Sequence, residues 1–490
     1  MGTPAHPNYH SIMALRVLLF LLVLAIPRVL AEGLPDLGDA AQAGFTPLQE
    51  RRLGESIMRE IRADRSFYDD AEATDYLSGL GNRLASRSPD ARQDFDFFLI
   101  RDNQINAFAL PGGFIGINTG LILASQSESE LASVVAHEIA HVTQRHIASM
   151  IAQQKQSSIT ALAALAAALL LSRVSGPATE AAIAFGQAGA VQSQLNFTRE
   201  NERDADRVGL QILDHAGFDP HAMASFFERL QRATRIYEGG APSYLRTHPL
   251  TFERIADIQN RTQAVSYRQV PDSLGFQLIR ARLRAQFDAP RDAVVFFEQS
   301  LAERKFLSEA ASRYGLIVSL MRQKDYARAR GELDSLRKLV PANPIVDTLT
   351  CEFGREAYGP DKSLPCFREG LKSYPAYRAL VYGYADALLQ ARRPEEALRV
   401  IEGRLQTVTN DHRLYLLQAR SYAALNRRLA QHRAQAEAYV RLGNVPAAIE
   451  QLQIGLKSGD GDFFQLSGAE ARLRELRKLD QEMRREAGKR

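Results

Sequence analysis

Two histidines four residues apart, His137 and His141, with Glu138 directly after the first, constrain this chain more than any other feature. On a helix, residues i and i+4 leave the same face one turn apart, so both imidazoles can reach one point. The neighbouring positions Leu131, Val134, Val135, Ile139 and Ala140 are apolar, so the helix is expected to be buried. Two imidazoles and a carboxylate are costly to bury without partners, and a shared zinc ion suits this spacing. Glu138 would then reach a water beside the ion as general base. The plainer reading is two satisfied core histidines, and the acidic residues downstream weigh against it. Ser127-Glu128-Ser129-Glu130 reads as a capping box that opens the helix.

A catalytic zinc needs a third protein ligand and an open position. His146 lies five residues beyond His141, about 140° around a continued helix, and is expected on the surface. The acidic ligand should come from Glu200-Asn201-Glu202-Arg203-Asp204-Ala205-Asp206. Glu200 with Asp204, and Glu202 with Asp206, share the same i, i+4 spacing. In either pair the Glu would bind zinc and the Asp would accept a hydrogen bond from a ligand His. Spacing leaves both pairs open, beside the plain alternative of a solvated helix start.

The surrounding chain is organised around this motif. Arg16, the ten apolar residues Val17 to Ile26, and Val29-Leu30-Ala31 form a secretory signal pattern, so residues 1–31 are expected to be a cleaved leader. Residues 32–44 read as a linker. Two amphipathic helices follow between Phe45 and about Ser86, the first opened by Thr46-Pro47. Alternation from Phe95 to Ile117, broken by Pro111-Gly112-Gly113, predicts a small sheet. The Ala- and Leu-rich residues 150–195 read as a buried helical hairpin. Beyond residue 266 the period is helical throughout. Tyr326-Ala327-Arg328-Ala329 and Pro394-Glu395-Glu396-Ala397 lie two 34-residue units apart, the period of tetratricopeptide repeats. Pro446-Ala447-Ala448 falls half a unit out of phase, which predicts a degenerate register there. Cys351 and Cys366 either pair across a helical hairpin or stay as buried thiols.

His-Glu-x-x-His at 137–141, Glu-x-x-Ala-Asp at 202–206, and Asn-Ala-Phe-Ala-Leu-Pro-Gly-Gly at 106–113 together resemble the peptidase family that includes HtpX and the CAAX prenyl proteases. The repeats and leader resemble its soluble periplasmic branch. The resemblance implies an α+β gluzincin-type metallopeptidase domain over 45–265, mostly helical with a small sheet, then an all-α tetratricopeptide-repeat solenoid over 266–490. It implies one zinc per subunit on His137, His141 and Glu202, with Glu138 catalytic and Asp206 steadying His137. Asn106, Ala107, Phe108, Ala109 and Leu110 would be an edge strand for substrate, or simply core sheet. His248 and Arg254, in a His-Pro segment, would stabilise the oxyanion or latch the zinc, unless they are an ordinary surface loop. The implied partners are unfolded or misassembled envelope proteins, the outer-membrane β-barrel assembly machinery and the lipopolysaccharide-transport barrel, with peripheral membrane association.

Composition narrows the classes. With 61 basic and 57 acidic residues the net charge is +4, which predicts no nucleic-acid partner. The longest apolar runs have ten and 13 residues, at 17–26 and 159–171, short of the roughly 20 that a spanning helix needs. The competing class is a repeat adaptor or chaperone of the assembly machinery with a latched peptidase site. An intact Glu138 argues against a dead enzyme, because a scaffold needs no general base.

Overall fold

The computed structural model describes Gly2 and residues 45–89, 93–153, 199–236, 243–263, 265 and 268–488. Apart from Gly2, the leader and the linker lie outside the described residues, as does the expected helical hairpin of 150–195 beyond residue 153. Two helices lead in, α1 (Pro47–Ala63) and α2 (Ala71–Ala85). Thr46 caps α1 with Pro47 in its first turn, and the Asp70 side chain caps α2. Strands β1 (Asp96–Ile100), β2 (Ala107–Leu110) and β3 (Phe114–Asn118) form a sheet of order β1-β3-β2. β1 runs parallel to β3, and β2 pairs antiparallel to it from Ala107 opposite Ile117 to Leu110 opposite Phe114. The turn between β2 and β3 needs glycine: Gly113 has φ +87°, and a Cβ there would sit 2.2 Å from the Asp94 carbonyl oxygen.

Short α3 (Thr119–Ala124) leads to α4 (Glu128–Thr143), which is buried from Glu128 to Val142. Its cap differs in one detail from the expected box. Ser127 accepts from the Glu130 amide at 3.2 Å, and the Glu130 carboxylate takes the amide of Gln126 at 2.6 Å as well as facing that of Ser127. After α5 (His146–Gln153) come α6 (Arg199–His215), α7 (His221–Ile236), α8 (Ser243–Thr247) and α9 (Phe252–Gln263). α6 lies along α4. Gly209 permits this approach, since a Cβ there would lie 3.1 Å from both Cα and N of His137.

Six helical hairpins complete the chain: α10 (Leu274–Phe287) with α11 (Pro290–Ala302), α12 (Glu309–Arg322) with α13 (Tyr326–Leu339), and α14 (Pro344–Tyr358) with α15 (Pro360–Ser373). The others are α16 (Arg378–Gln390) with α17 (Pro394–Leu405), α18 (His412–Ala424) with α19 (Arg428–Arg441), and α20 (Val445–Leu456) with α21 (Phe463–Gly488). Corresponding helices start 33–36 residues apart to the end, so the register does not degenerate. Ala448 is out of phase because it lies on a first helix, α20, whereas Ala329 and Ala397 lie on second helices. All three are fully buried, because a small residue is wanted wherever two helices approach closely, on either member of a hairpin. Cys351 on α14 and Cys366 on α15 are joined by a disulfide, which resolves the two readings left open by their spacing.

One hydrophobic cluster runs from Ala73 and Leu77 on α2, through Ile115, Ile117 and Ile139, to Phe276, Ile317 and Phe353 in the repeats. An ion network lies over it. Arg282 on α10 meets Asp70 and Glu72 of α2, each at 2.8 Å, and its guanidinium donates to the Tyr314 hydroxyl. Burial pushes the Glu72 carboxyl up to about 7, against the pull of Arg282. No helix among the described residues is long and apolar enough to cross a membrane.

Replacing both Cys351 and Cys366 by Ala should lower stability by about 3 kcal/mol, the chain-entropy value for a loop of this length, read from denaturant unfolding. Gly209→Val should push α6 off α4 and lower the melting temperature by several degrees, whereas Gly331→Ala, on an open face of α13, should not lower it.

Candidate metal centre

His137, Glu138 and His141 project from the one stretch of α4 that is wholly sealed from solvent. Opposite them, Glu202, Ala205, Asp206 and Gly209 form the inward face of α6, at the i, i+3/i+4, i+7 spacing of one helix side. Glu200 stays exposed, and Asp204 is half-buried beside Arg207. The helix therefore turns the Glu202 and Asp206 pair inward and leaves the other pair out.

Nε2 of His137 and Nε2 of His141 lie 3.0 Å apart. Glu202 Oε1 is 3.4 Å from His141 Nε2, and Glu202 Oε2 is 3.6 Å from His137 Nε2. His248, on the loop after α8, brings Nδ1 to 3.0 Å from Glu202 Oε1 and 3.3 Å from His137 Nε2. One donor atom from each of these four buried residues lies within 4.8 Å of every other. Ligands bound at 2.0–2.1 Å around a tetrahedral ion stand about 3.3 Å apart, so the spacing matches a metal site.

The protonation pattern agrees. Nδ1 of His137 lies 2.9 Å from Asp206 Oδ1. A carboxylate only accepts, so a proton belongs on Nδ1, and a cation bound at Nε2 would take the place of the imidazolium's second proton. Burial pulls the His137 imidazolium down, but hydrogen bonds with Asp206 and Glu202 raise it further, to about 9. Negative charge placed to favour an imidazolium also favours a metal cation between the rings. Burial, with the charge of His137, holds His141 well below the ordinary histidine range despite Glu202, so it offers a lone pair. Glu202 is held well below the usual carboxylate range: burial opposes this, but His248, His137 and His141 outweigh it.

Arg254 on α9 organises the acids. Its Nε and Nη2 donate to Asp206 at 2.7 and 2.8 Å, and Nη1 reaches Glu202 Oε2 at 2.7 Å and the Pro249 carbonyl at 2.8 Å. At 3% exposure it is no surface residue. Its donors are committed to the two acids and the loop, so its geometry suits positioning rather than oxyanion binding.

Glu138 is fully buried, and its carboxylate is met by the backbone amide of Ala109 without a hydrogen bond of regular geometry among the described residues. Burial raises its pKa, opposed by His248 and His137 and by the backbone amide of Ala109 in β2. Its Oε1 lies 3.4 Å from His248 Nε2. β2 packs on α4 and forms an edge of the sheet among the described residues. Asn106 lies just before the strand and is buried, its Oδ1 without a partner among those residues. Ala107, Phe108 and Leu110 are buried, and Ala109 is partly exposed.

His146 departs from expectation. It is buried at 7% exposure, with Nδ1 3.0 Å from His141 Nδ1. The projection of about 140° assumed a continuous helix. In fact α4 ends at Thr143, Arg145 turns back at φ +55°, and His146 opens a new helix. Sequence reading also passed over Gly209. A glycine seven residues after Glu202, on the same helical face, was its available signal.

The sequence model of peptidase family M48 matches residues 71–262. The beta-barrel assembly-enhancing protease of Escherichia coli (strain K12) is 33% identical over 455 residues, 92% of each chain. The putative beta-barrel assembly-enhancing protease of Vibrio cholerae is 36% identical over 382 residues, 77% of this chain and 78% of that protein. The mitochondrial metalloendopeptidase OMA1 of Schizosaccharomyces pombe is 32% identical over 213 residues, 43% of this chain and 60% of that protein. The matched region contains all four donor residues, and together with likeness along nearly the full length it shows that this chain belongs to peptidase family M48 and is a metallopeptidase.

Proposed function

We propose that the protein is a zinc endopeptidase of the periplasm that degrades unfolded or misassembled envelope proteins and assists outer-membrane β-barrel assembly. The observation that carries this reading is the buried set of His137, His141 and Glu202 beside the fully buried carboxylate of Glu138. Such a carboxylate is expensive to keep unless chemistry uses it.

Two imidazoles and a carboxylate are a common catalytic zinc set, with His248 the added fourth donor. Zinc held there would polarise the scissile carbonyl and acidify water. Glu138 takes the water's proton and passes it to the leaving amine. Asp206 fixes the His137 ring, and Arg254 fixes Asp206 and Glu202. Residues Asn106 to Leu110 hold an extended chain by main-chain hydrogen bonds along β2, which favours unfolded substrates. Residues 45–265 carry the chemistry, and the repeats over 266–490 hold client proteins or the assembly machinery. The barrel-assembly role is supported by relatives named for it, and the periplasm by the leader pattern at 16–31.

A second reading, a repeat adaptor whose peptidase is latched, is favoured by one observation. His248 Nδ1 already lies among the donors, and a four-ligand zinc has no place for water.

Cleavage of casein by purified protein, with zinc content measured in parallel, tests both readings. Glu138→Gln should keep its zinc and lose about 10²–10⁴-fold in rate. Zinc-free wild-type and variant preparations under metal-replete conditions would sink the reading. His248→Ala should accelerate cleavage if the latch holds, and slow it if His248 serves the reaction. Asp206→Asn should weaken zinc binding on the order of 10–100-fold, read by competition with a chelating dye.

A further inference from the structure

Tyr244 lies next to the donor cluster, yet nothing in the arrangement above uses it. It is 1% exposed, and its hydroxyl has no hydrogen-bond partner among the described residues. A buried hydroxyl in that condition destabilises the fold, and native proteins rarely keep one. The ring is firmly held. It stacks on His248 with centroids 4.7 Å apart and planes inclined at 24°, and its centroid is 6.4 Å from that of His137. Its amide donates to the Ile105 carbonyl at 3.2 Å, and its carbonyl accepts from the His248 amide at 2.9 Å. Tyr244 thus joins the residue before Asn106, at the start of the edge strand, to the histidine among the donors.

After burial, the charges that act most on the phenol are those of Glu138, Arg254, Glu202 and Asp206. A phenolic hydroxyl carries a proton in its ordinary state, so it can serve as a donor.

We propose that the Tyr244 hydroxyl is a catalytic hydrogen-bond donor to the scissile carbonyl oxygen as that oxygen becomes an oxyanion. The proposal rests on the peptidase reading above. In the step, the water oxygen bonds to the carbonyl carbon and Glu138 takes the water's proton. The carbonyl π pair moves onto oxygen, which accepts the Tyr244 hydrogen bond while the phenolic proton stays on tyrosine. A donor unsatisfied in the free enzyme and paired as charge develops stabilises the transition state selectively. The energetic cost of leaving the hydroxyl without a partner falls on the resting protein.

Tyr244→Phe removes the hydroxyl and keeps the ring on His248. Chelated, metal-free Tyr244→Phe should melt at or above the temperature of chelated wild type, because an unsatisfied buried group is gone. Zinc-loaded, it should lose about 10²–10³-fold in kcat on a quenched-fluorescence peptide, with KM nearly unchanged. A lower melting temperature for the chelated variant would show that the hydroxyl is satisfied in the fold, and would overturn the proposal. An unchanged kcat, with wild type active, would do the same. Failure of the underlying reading shows elsewhere, as cleavage that Glu138→Gln does not slow.

Discussion

The arrangement of the site depends on a buried three-residue ion cluster, Asp206–Arg254–Glu202. Three groups of this kind cost several kcal/mol each to bring out of water, so they persist only when each satisfies the others. Arg254 does this with a bidentate grip on Asp206, a contact to Glu202 and a fourth bond to the Pro249 carbonyl. One side chain from α9 therefore sets the position of α6 and ties down the loop that carries His248. The His137 ring and the Arg254 guanidinium are also supported from one side, since Phe227 packs edge-on to His137 and lies under the guanidinium. Opposite charge at Asp206 keeps Arg254 protonated, and Arg254 in turn holds the Asp206 carboxyl below its ordinary range although burial opposes it.

Much of this was legible in the sequence, and the misses have physical causes. Helical periodicity located α1, α2, α4 and the repeats, because those helices bury one face or all faces in a regular pattern. The small sheet was legible from alternation and the glycine turn, but its order was not, since strand order depends on contacts distant in sequence. Periodicity could not choose between Glu202 with Asp206 and Glu200 with Asp204, because both pairs share one spacing. Rotation of the helix decides, and Gly209 fixes that rotation by letting α6 touch α4 at His137. The place of His146 was lost for a similar reason: a left-handed residue, Arg145, ends the helix without glycine to announce it. Nor could the cysteines be assigned, because a 15-residue separation suits two helices of a hairpin whether or not the thiols are joined.

The histidines illustrate how one residue type takes several roles through its second nitrogen. His137 has Asp206 on Nδ1, His141 has His146 there, and His248 offers Nδ1 to the donors while Nε2 faces Glu138. Each role is set by which atom lies opposite, information that no spacing in the chain contains.

Helix α2 has a double attachment whose consequence is mechanical. One side packs on α4, the helix of His137 and Glu138, and its acidic first turn is clasped by Arg282 of the first hairpin while Arg378 of the fourth hairpin holds Asp75. A load placed on the repeats can pass through this one helix to the helix that carries the buried Glu138 carboxylate. The repeats and the donor cluster therefore share a wall rather than a linker, and the same wall transmits in both directions: any load on the repeats that alters the site must be matched, by thermodynamic reciprocity, by an equal influence of the site's occupation on the repeats.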